Sequence, residues 1–302
     1  MTNPQSLLHL DNLSKDSILS LLAEAKNIKN SENDVSSSMV NKILTPIFLQ
    51  ENSRTFINST SSFVRMCGTV LSVPLSNTRY GSKWAEPIQD FCTIINSCSD
   101  FVVIQSLDVN TVFEFSKFCD LPVINAGNGS GVGAEHPMQA LLDLFTIQQI
   151  YGERELNILM LGGKHIRSTR SQIKLFRKFG HELTIMSPTS PVDNKDIDEI
   201  CKNEMREVET LEDIDLKNID VIYHNGMDEN PDIEAGKEYK ITRKRLEILK
   251  FKGKVMHSLP RKNEMGDCLD DTKYNLYFDQ MRNSKYVFQS IYFNQLRESL
   301  HA

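Results

Sequence analysis

The chain has no excess of basic charge, no long apolar run, no paired-cysteine spacing and almost no tryptophan. Each absence narrows what it does. Lys and Arg number 34 against 40 Asp and Glu, a net charge of −6. That balance speaks against general nucleic-acid affinity, and an anionic substrate needs a local basic pocket. No stretch reaches the roughly 18 consecutive apolar residues that a membrane-spanning helix requires, so no membrane partner is expected. Residues 1–12 lack the basic-then-apolar pattern of a secretory signal. The 6 cysteines (Cys67, Cys92, Cys98, Cys119, Cys201, Cys268) form no Cys-x-x-Cys pair. They read as reduced thiols in a cytoplasmic protein, not as a zinc site or a disulfide frame. The only tryptophan, Trp84, stands in a polar loop, where Trp serves contact more than core packing.

What is present is an ordinary globular composition, 40% hydrophobic and 25% charged over 302 residues. That length is long for one core and natural for two α/β lobes. Ser14 precedes an apolar-periodic helix with Ile18, Leu21, Leu22, Ala25 and Ile28 on one face. Strands are expected over 43–49, 69–73, 101–104 and 122–125, with Pro46 arguing for an edge or an irregularity in the first. After a polar turn over 50–53 a helix is expected through Met66, then one near 88–98 marked by Ile88, Phe91, Ile94, Ile95 and Cys98, and one over 109–118. A Gly-rich loop, 127–133, leads into a helix at His136 that crosses to a second lobe. There strands over 156–161, 183–186, 221–223 and 254–256 alternate with helices over 168–179, near 197, and over 241–249. A final helix is expected over 285–300. Such alternation implies a parallel sheet in each lobe, and ligands of such sheets sit beyond the carboxyl ends of the strands. The fold class is therefore α/β: two lobes, each a parallel sheet flanked by helices, joined by interdomain helices.

The stretch Ala134-Glu135-His136-Pro137-Met138-Gln139-Ala140-Leu141-Leu142-Asp143-Leu144 carries the most chemistry. A His and a Gln stand three residues apart around a Pro at a helix start. Pro is favoured there because those amides have no intrahelical partner. The first turn should thus hold an imidazole and a carboxamide over free backbone N–H groups, which suits a small ligand with a carbonyl oxygen and an amide. Upstream, Glu51-Asn52-Ser53-Arg54-Thr55 lies between a strand and a helix. That is an anion cradle: oriented amides, two hydroxyls and a forked cation. It is also what an ordinary N-cap looks like.

His136-Pro137-Met138-Gln139-Ala140-Leu141-Leu142-Asp143-Leu144 closely resembles the carbamoyl-binding motif of the aspartate/ornithine carbamoyltransferases. The resemblance runs from about residue 10 to 300 with the motifs in order. It implies a carbamoyl-phosphate-binding domain over 1–138, with the helix 285–302 packing back onto it, and an amino-acid-binding domain over 150–284. The implied reaction moves the carbamoyl group of carbamoyl phosphate to an amino acid's amine, most simply L-aspartate as in pyrimidine biosynthesis, with no cofactor or metal. Arg54, Thr55 and His136 would be catalytic. Ser53, Lys83, Gln105, Gln139, Arg167, Leu259 and Pro260 would bind substrate. Lys83 lies in Ser76-Asn77-Thr78-Arg79-Tyr80-Gly81-Ser82-Lys83-Trp84, which resembles the family's mobile loop that reaches a neighbouring subunit, so a homotrimer with shared sites is implied. Arg167 matches an acceptor-carboxylate ligand. His257-Ser258-Leu259-Pro260-Arg261 resembles the loop whose backbone carbonyls contact the acceptor's amine and the carbamoyl amide. Tyr277-Phe278-Asp279-Gln280-Met281-Arg282-Asn283 resembles the ending of the aspartate branch.

The chain departs from the family pattern at several ligand positions. Phe56 stands where a second Arg is expected in the phosphate loop, and Arg79 where Ser is usual. Gln105 replaces an Arg that contacts carbamoyl and phosphate. Gly226-Met227-Asp228-Glu229 replaces the Arg-x-Gln that binds aspartate's side-chain carboxylate. Losing a cation from a buried dianion site costs about 3–5 kcal/mol if nothing replaces it. Three readings therefore stay open: an aspartate enzyme with rewired contacts, a relative with a different acceptor or donor, and a non-catalytic binding or assembly subunit.

Overall fold

A computed structural model describes residue 3 and residues 5–50, 52–73, 86–188, 195–226 and 238–301. The chain divides into two compact units. Unit 1 comprises Met1–Gly129, Glu135–Phe145 and Asn283–Ala302, and unit 2 comprises Ser130–Ala134 and Thr146–Arg282.

In unit 1 the elements are α1 (Lys15–Lys29), β1 (Ile43–Phe48), α2 (Ser53–Val64), β2 (Thr69–Val70), α3 (Ile88–Cys98), β3 (Phe101–Ser106), α4 (Thr111–Phe118) and β4 (Val123–Asn128). Among the described residues the strands form one sheet in the order β2-β1-β3-β4, parallel throughout. The apolar residues of β3 and β4 are buried without alternation, as strands covered on both faces must be. Ile47, Val102, Ile104 and Val123 pack with Cys92 and Ile95 of α3 and with Val112 and Phe115 of α4. Pro46 is tolerated although β1 is not an edge. The short β2 pairs only with Ile43 and Leu44, so its ladder has ended before Pro46, which pairs with Val103 on the other side.

Two long helices carry residues of both units: α5 (Pro137–Tyr151) and the last helix, α9 (Tyr277–His301). α9 starts well before the expected residue 285. The Asn275 side chain accepts the Phe278 N–H at 3.3 Å, and Leu276 and Tyr277 are buried, so the segment has both a cap and an apolar anchor. Further along, Tyr292 stands edge-on to Phe63 at 5.0 Å and its hydroxyl donates to the Ser59 carbonyl at 3.2 Å.

Unit 2 adds β5 (Asn157–Leu161), α6 (Arg167–Lys178), β6 (Glu182–Met186), α7 (Lys195–Glu204), β7 (Arg206–Glu207), β8 (Val221–His224), α8 (Arg243–Ile248) and β9 (Lys254–His257). Its sheet runs β7-β6-β5-β8-β9, again all parallel. β7 is too short and too polar to be read from periodicity. Leu159, Ile222 and Val255 form its core with Leu246, Phe251 and Tyr274. Among the described residues, no helix is long and apolar enough to cross a membrane.

Candidate active site

In unit 1 the strand register gathers three of the expected segments. Phe48, the end of β1, pairs with Gln105 of β3, and the N–H of Leu49 donates to the Gln105 carbonyl at 2.9 Å. The chain then turns into α2, so the Ser53-Arg54-Thr55 turn leaves the sheet beside Gln105. On the other side Ser106 pairs with Asn128 of β4 across a register shift that begins after Ile104, and β4 leads to the His136 loop. Phosphate cradle, Gln105 and His136 loop thus leave the carboxyl ends of neighbouring strands, where parallel sheets present ligand sites.

The α2 terminus is built differently from the expectation. Its cap is Asn52, whose side chain accepts the Thr55 N–H at 3.2 Å. Ser53 and Arg54 are then the first two helical residues, whose N–H groups have no intrahelical acceptor. Ser53 is exposed, while Arg54 and Thr55 are half-buried. Burial lowers the pKa of Arg54 from its ordinary value, and among the described residues no carboxylate pairs with it. A half-buried cation of this kind is a place for an anion.

Gln105 ends inside β3, not after it, and is fully buried. Neither its Oε1 nor its Nε2 has a hydrogen-bond partner among the described residues. Buried side-chain amides are normally satisfied, so this one has its bonding capacity left for a group outside the described residues.

His136 is buried directly ahead of α5, with Pro137 as the first helical residue. The free amides expected beneath this turn are largely consumed. Pro137 has no N–H, and the N–H groups of Gln139 and Ala140 both donate to the His136 carbonyl, at 3.1 and 3.3 Å. The turn therefore offers side chains more than backbone. Gln139 donates from Nε2 to Asp143 at 2.8 Å, which orients its carboxamide. The loop before His136 is held by groups that sequence reasoning missed. Asn128 Oδ1 accepts from Asn125 at 2.8 Å and from the Glu135 N–H at 3.2 Å. Glu135, buried, accepts the Leu10 N–H at 3.1 Å.

In unit 2 the strand ends Leu161, His224 and His257 stand in register across β5, β8 and β9. Arg167 opens α6 after the β5 turn, half-buried, and burial pulls its pKa down to about 10. A cation held at that cost suits a carboxylate. Gly162 makes the turn possible: it has φ +115°, and a Cβ there would lie 2.6 Å from the Gly226 carbonyl oxygen. Asn225 ties the two loops together, accepting from Ser168 at 3.0 Å and donating to Gln172 at 2.8 Å.

Leu259 and Pro260 follow β9 in a turn wired on both sides. The His257 ring accepts the Leu259 N–H at 2.7 Å and contacts Glu264 at 2.9 Å. Arg261 pairs with Asp270 and lies 4.9 Å over the Tyr277 ring. Arg261 is thus committed to structure. Lys83, Arg79, Asp228 and Glu229 lie outside the described residues. Among the described residues, no cluster of His, Cys, Asp and Glu could hold a metal ion.

Comparison with known proteins matches these two halves to two domains. Residues 5–149 match the "Aspartate/ornithine carbamoyltransferase, carbamoyl-P binding domain" and residues 154–293 the "Asp/Orn binding domain" of the same family. The aspartate carbamoyltransferase catalytic subunit of Picrophilus torridus is 29% identical over 94% of this chain and 95% of its own. Catalytic subunit 2 of Shewanella halifaxensis is 28% identical over 96% of each chain. Aspartate transcarbamoylase from Trypanosoma cruzi, solved with carbamoyl phosphate, superposes with a TM-score of 0.86 at 25% identity, covering 97% of this chain and 96% of that one. The catalytic subunit of M. jannaschii aspartate transcarbamoylase gives 0.84 at 26% identity, over 99% and 100%. With both domain profiles matched over nearly its whole length, this chain belongs to the aspartate/ornithine carbamoyltransferase family.

Proposed function

We propose that the protein transfers the carbamoyl group of carbamoyl phosphate to the amine of L-aspartate. The observation that carries this reading is the convergence in unit 1 of Arg54, paired with no described carboxylate, the buried Gln105 amide and His136 at adjacent strand ends. Together they offer one cation, an amide donor and acceptor, and an imidazole, which matches a small phosphorylated amide. Ser53 and Arg54 hold the phosphate, joined by Lys83 from a neighbouring copy. Thr55 and His136 stabilise the oxyanion that develops on the carbonyl oxygen. Gln139 and the carbonyls of Leu259 and Pro260 hold the carbamoyl NH2, those two carbonyls also contact the acceptor's amine, and Gln105 bonds the donor where an Arg would otherwise stand. Arg167 holds the acceptor's α-carboxylate.

The acceptor nitrogen forms a bond to the carbonyl carbon, the bond from that carbon to the phosphate oxygen breaks, and phosphate leaves with the proton from the amine. No residue need be covalently modified, and orientation of two bound reactants supplies much of the acceleration. Association as a homotrimer with shared sites completes the reading. It is supported by apolar side chains left exposed on unit 1, among them Ile57, Val64, Ile94 and Leu107.

The test is product analysis with carbamoyl phosphate and a panel of amino acids, beside light scattering at micromolar concentration. Carbamoyl-aspartate formed by a trimer is the expected result. A different carbamoylated amine would move the acceptor, and no product with any amine would leave a binding or assembly subunit as the better reading.

A further inference from the structure

Two buried histidines close the ends of adjacent strands in unit 2 in the same way. His224 ends β8 and His257 ends β9, and the two are paired in register. His224 Nδ1 accepts the N–H of Gly226 at 3.0 Å, and His257 Nδ1 accepts that of Leu259 at 2.7 Å. Each ring thus folds forward over its own chain and clamps the amide two residues on. A neutral imidazole that accepts at Nδ1 carries its proton on Nε2. Those protons point outward, from His224 to the Tyr239 carbonyl at 3.1 Å and from His257 to Glu264 at 2.9 Å. The rings stack with centroids 5.6 Å apart at 20°, and neither is open to solvent.

Both clamped amides belong to residues in the left-handed region, Gly226 at φ +83° and Leu259 at φ +55°. For Leu that conformation costs energy, so it persists only where surrounding bonds determine it. The sheet is gripped from below as well: Gln280 accepts the His257 N–H at 3.3 Å and donates to the Tyr223 hydroxyl at 2.9 Å.

We propose that His224 is a positioning residue for the acceptor amino acid: through Nδ1 it sets the backbone at Gly226, at the end of the strand paired in register with the one that leads into the Leu259–Pro260 turn. This rests on the proposed function, in which that turn holds the reacting amine. A His at this strand end does more than fill space, because a Phe of similar volume would keep the stack and lose the clamp.

Two substitutions separate the roles. His224→Phe retains a ring but accepts nothing. His224→Asn retains an oxygen able to accept the N–H two residues on, as in an Asx-turn. In His224→Phe the KM for aspartate should rise about 10-fold, the size of one lost buried hydrogen bond, while kcat changes by less than about 3-fold. In His224→Asn the KM should return to within about 3-fold of the native value. Inorganic phosphate, which reports on unit 1, should bind all three proteins equally. Amide exchange of Gly226 should be slow in the native and Asn proteins and fast in the Phe protein. An unchanged KM in His224→Phe overturns the proposal, and so does an Asn variant as impaired as the Phe variant, since that marks a packing role. If the native protein carbamoylates no amine, the proposed function fails, and exchange at Gly226 alone decides for or against His224. If His224→Phe does not fold, fast exchange of Gly226 in the native protein still overturns the clamp, and slow exchange there with a near-native KM in the Asn variant supports it.

Discussion

Replacing Gln105 by Met should stabilise the ligand-free protein while weakening its hold on carbamoyl phosphate. Gln105 is fully buried, and neither polar atom of its amide bonds to a described residue. An unsatisfied buried polar group costs about 1–3 kcal/mol. Met has nearly the same length and volume and no strong hydrogen-bonding atom, so the substitution removes that cost without opening a cavity. For a domain of roughly 150–250 residues, each kcal/mol shifts the melting temperature by about 2–4 °C, so the Met protein should melt higher by at least that much. The same amide is assigned to the bound donor, and its loss should weaken carbamoyl phosphate about 10-fold. Ligand stabilises the native state by about 4.1 kcal/mol at 1,000 times Kd and about 2.7 at 100 times. At one ligand concentration the Met protein therefore forfeits about 1.4 kcal/mol of the ligand's effect. Thermal melts with and without carbamoyl phosphate read both quantities. A Met variant less stable than the native chain without ligand, or one that gains equally from ligand, would refute the reasoning, because the amide would then be serving the fold.

Arg54→Ala should weaken inorganic phosphate binding by about 10-fold to 100-fold in calorimetry, since a charge-assisted bond is worth about 1.5–3 kcal/mol, and unchanged affinity would place the anion site elsewhere. Acid should destabilise the native protein through His224, whose pKa is held below its ordinary 6.5 by burial and by the neighbouring His257. With the folded pKa depressed, the stabilisation is fully present above about pH 6.5 and is lost as pH falls, at up to about 1.4 kcal/mol per pH unit. The facing groups are His257 and, through it, Glu264. The His224→Asn protein should show a shallower loss between pH 6.5 and 5 in urea titrations, and an unaltered slope would exclude His224 as the source. A Gly226→Arg/Asp228→Gln variant should use aspartate at least about 10-fold more efficiently than the native chain, one charge-assisted contact being worth that much. Among the described residues a Cβ at Gly226 meets no atom within 4 Å, but φ +83° means the Arg costs about 1–2 kcal/mol of stability. Equal steady-state efficiency would show that another group already binds the side-chain carboxylate.

Much of the scaffold was legible because it rests on short-range rules. The Ser14 cap, the Pro137 helix start and the unbroken apolar runs of β3 and β5 each state a local preference that tertiary packing agrees with. The errors lie where local signals are silent. Ile94 and Cys98 fit the apolar face of α3 by spacing, yet both are exposed. Amphipathic period cannot say how much of a face the neighbours cover. The two-residue strand β7 is too short for any period to reveal, and β2 stops at Val70, short of the expected residue 73.

The order and chemistry of Ser53-Arg54-Thr55, Gln105, His136-Pro137-Met138-Gln139, Arg167 and Leu259-Pro260 are properties of the sequence alone, and they sufficed to mark the family, because spacing along a βαβ chain determines which loops emerge at strand ends. What each residue has left to give a ligand was decided only in three dimensions. Burial left the Gln105 amide with no described partner, while Arg261, the cation that follows Leu259-Pro260, was consumed by Asp270 and the Tyr277 ring. Gln139 and Ala140 lost their free N–H groups to the His136 carbonyl. His224 and His257, 33 positions apart in the numbering, became a stacked pair through the parallel register of β8 and β9. Hydrogen-bond capacity is a finite resource shared among neighbours in space, and a linear sequence does not say who those neighbours are.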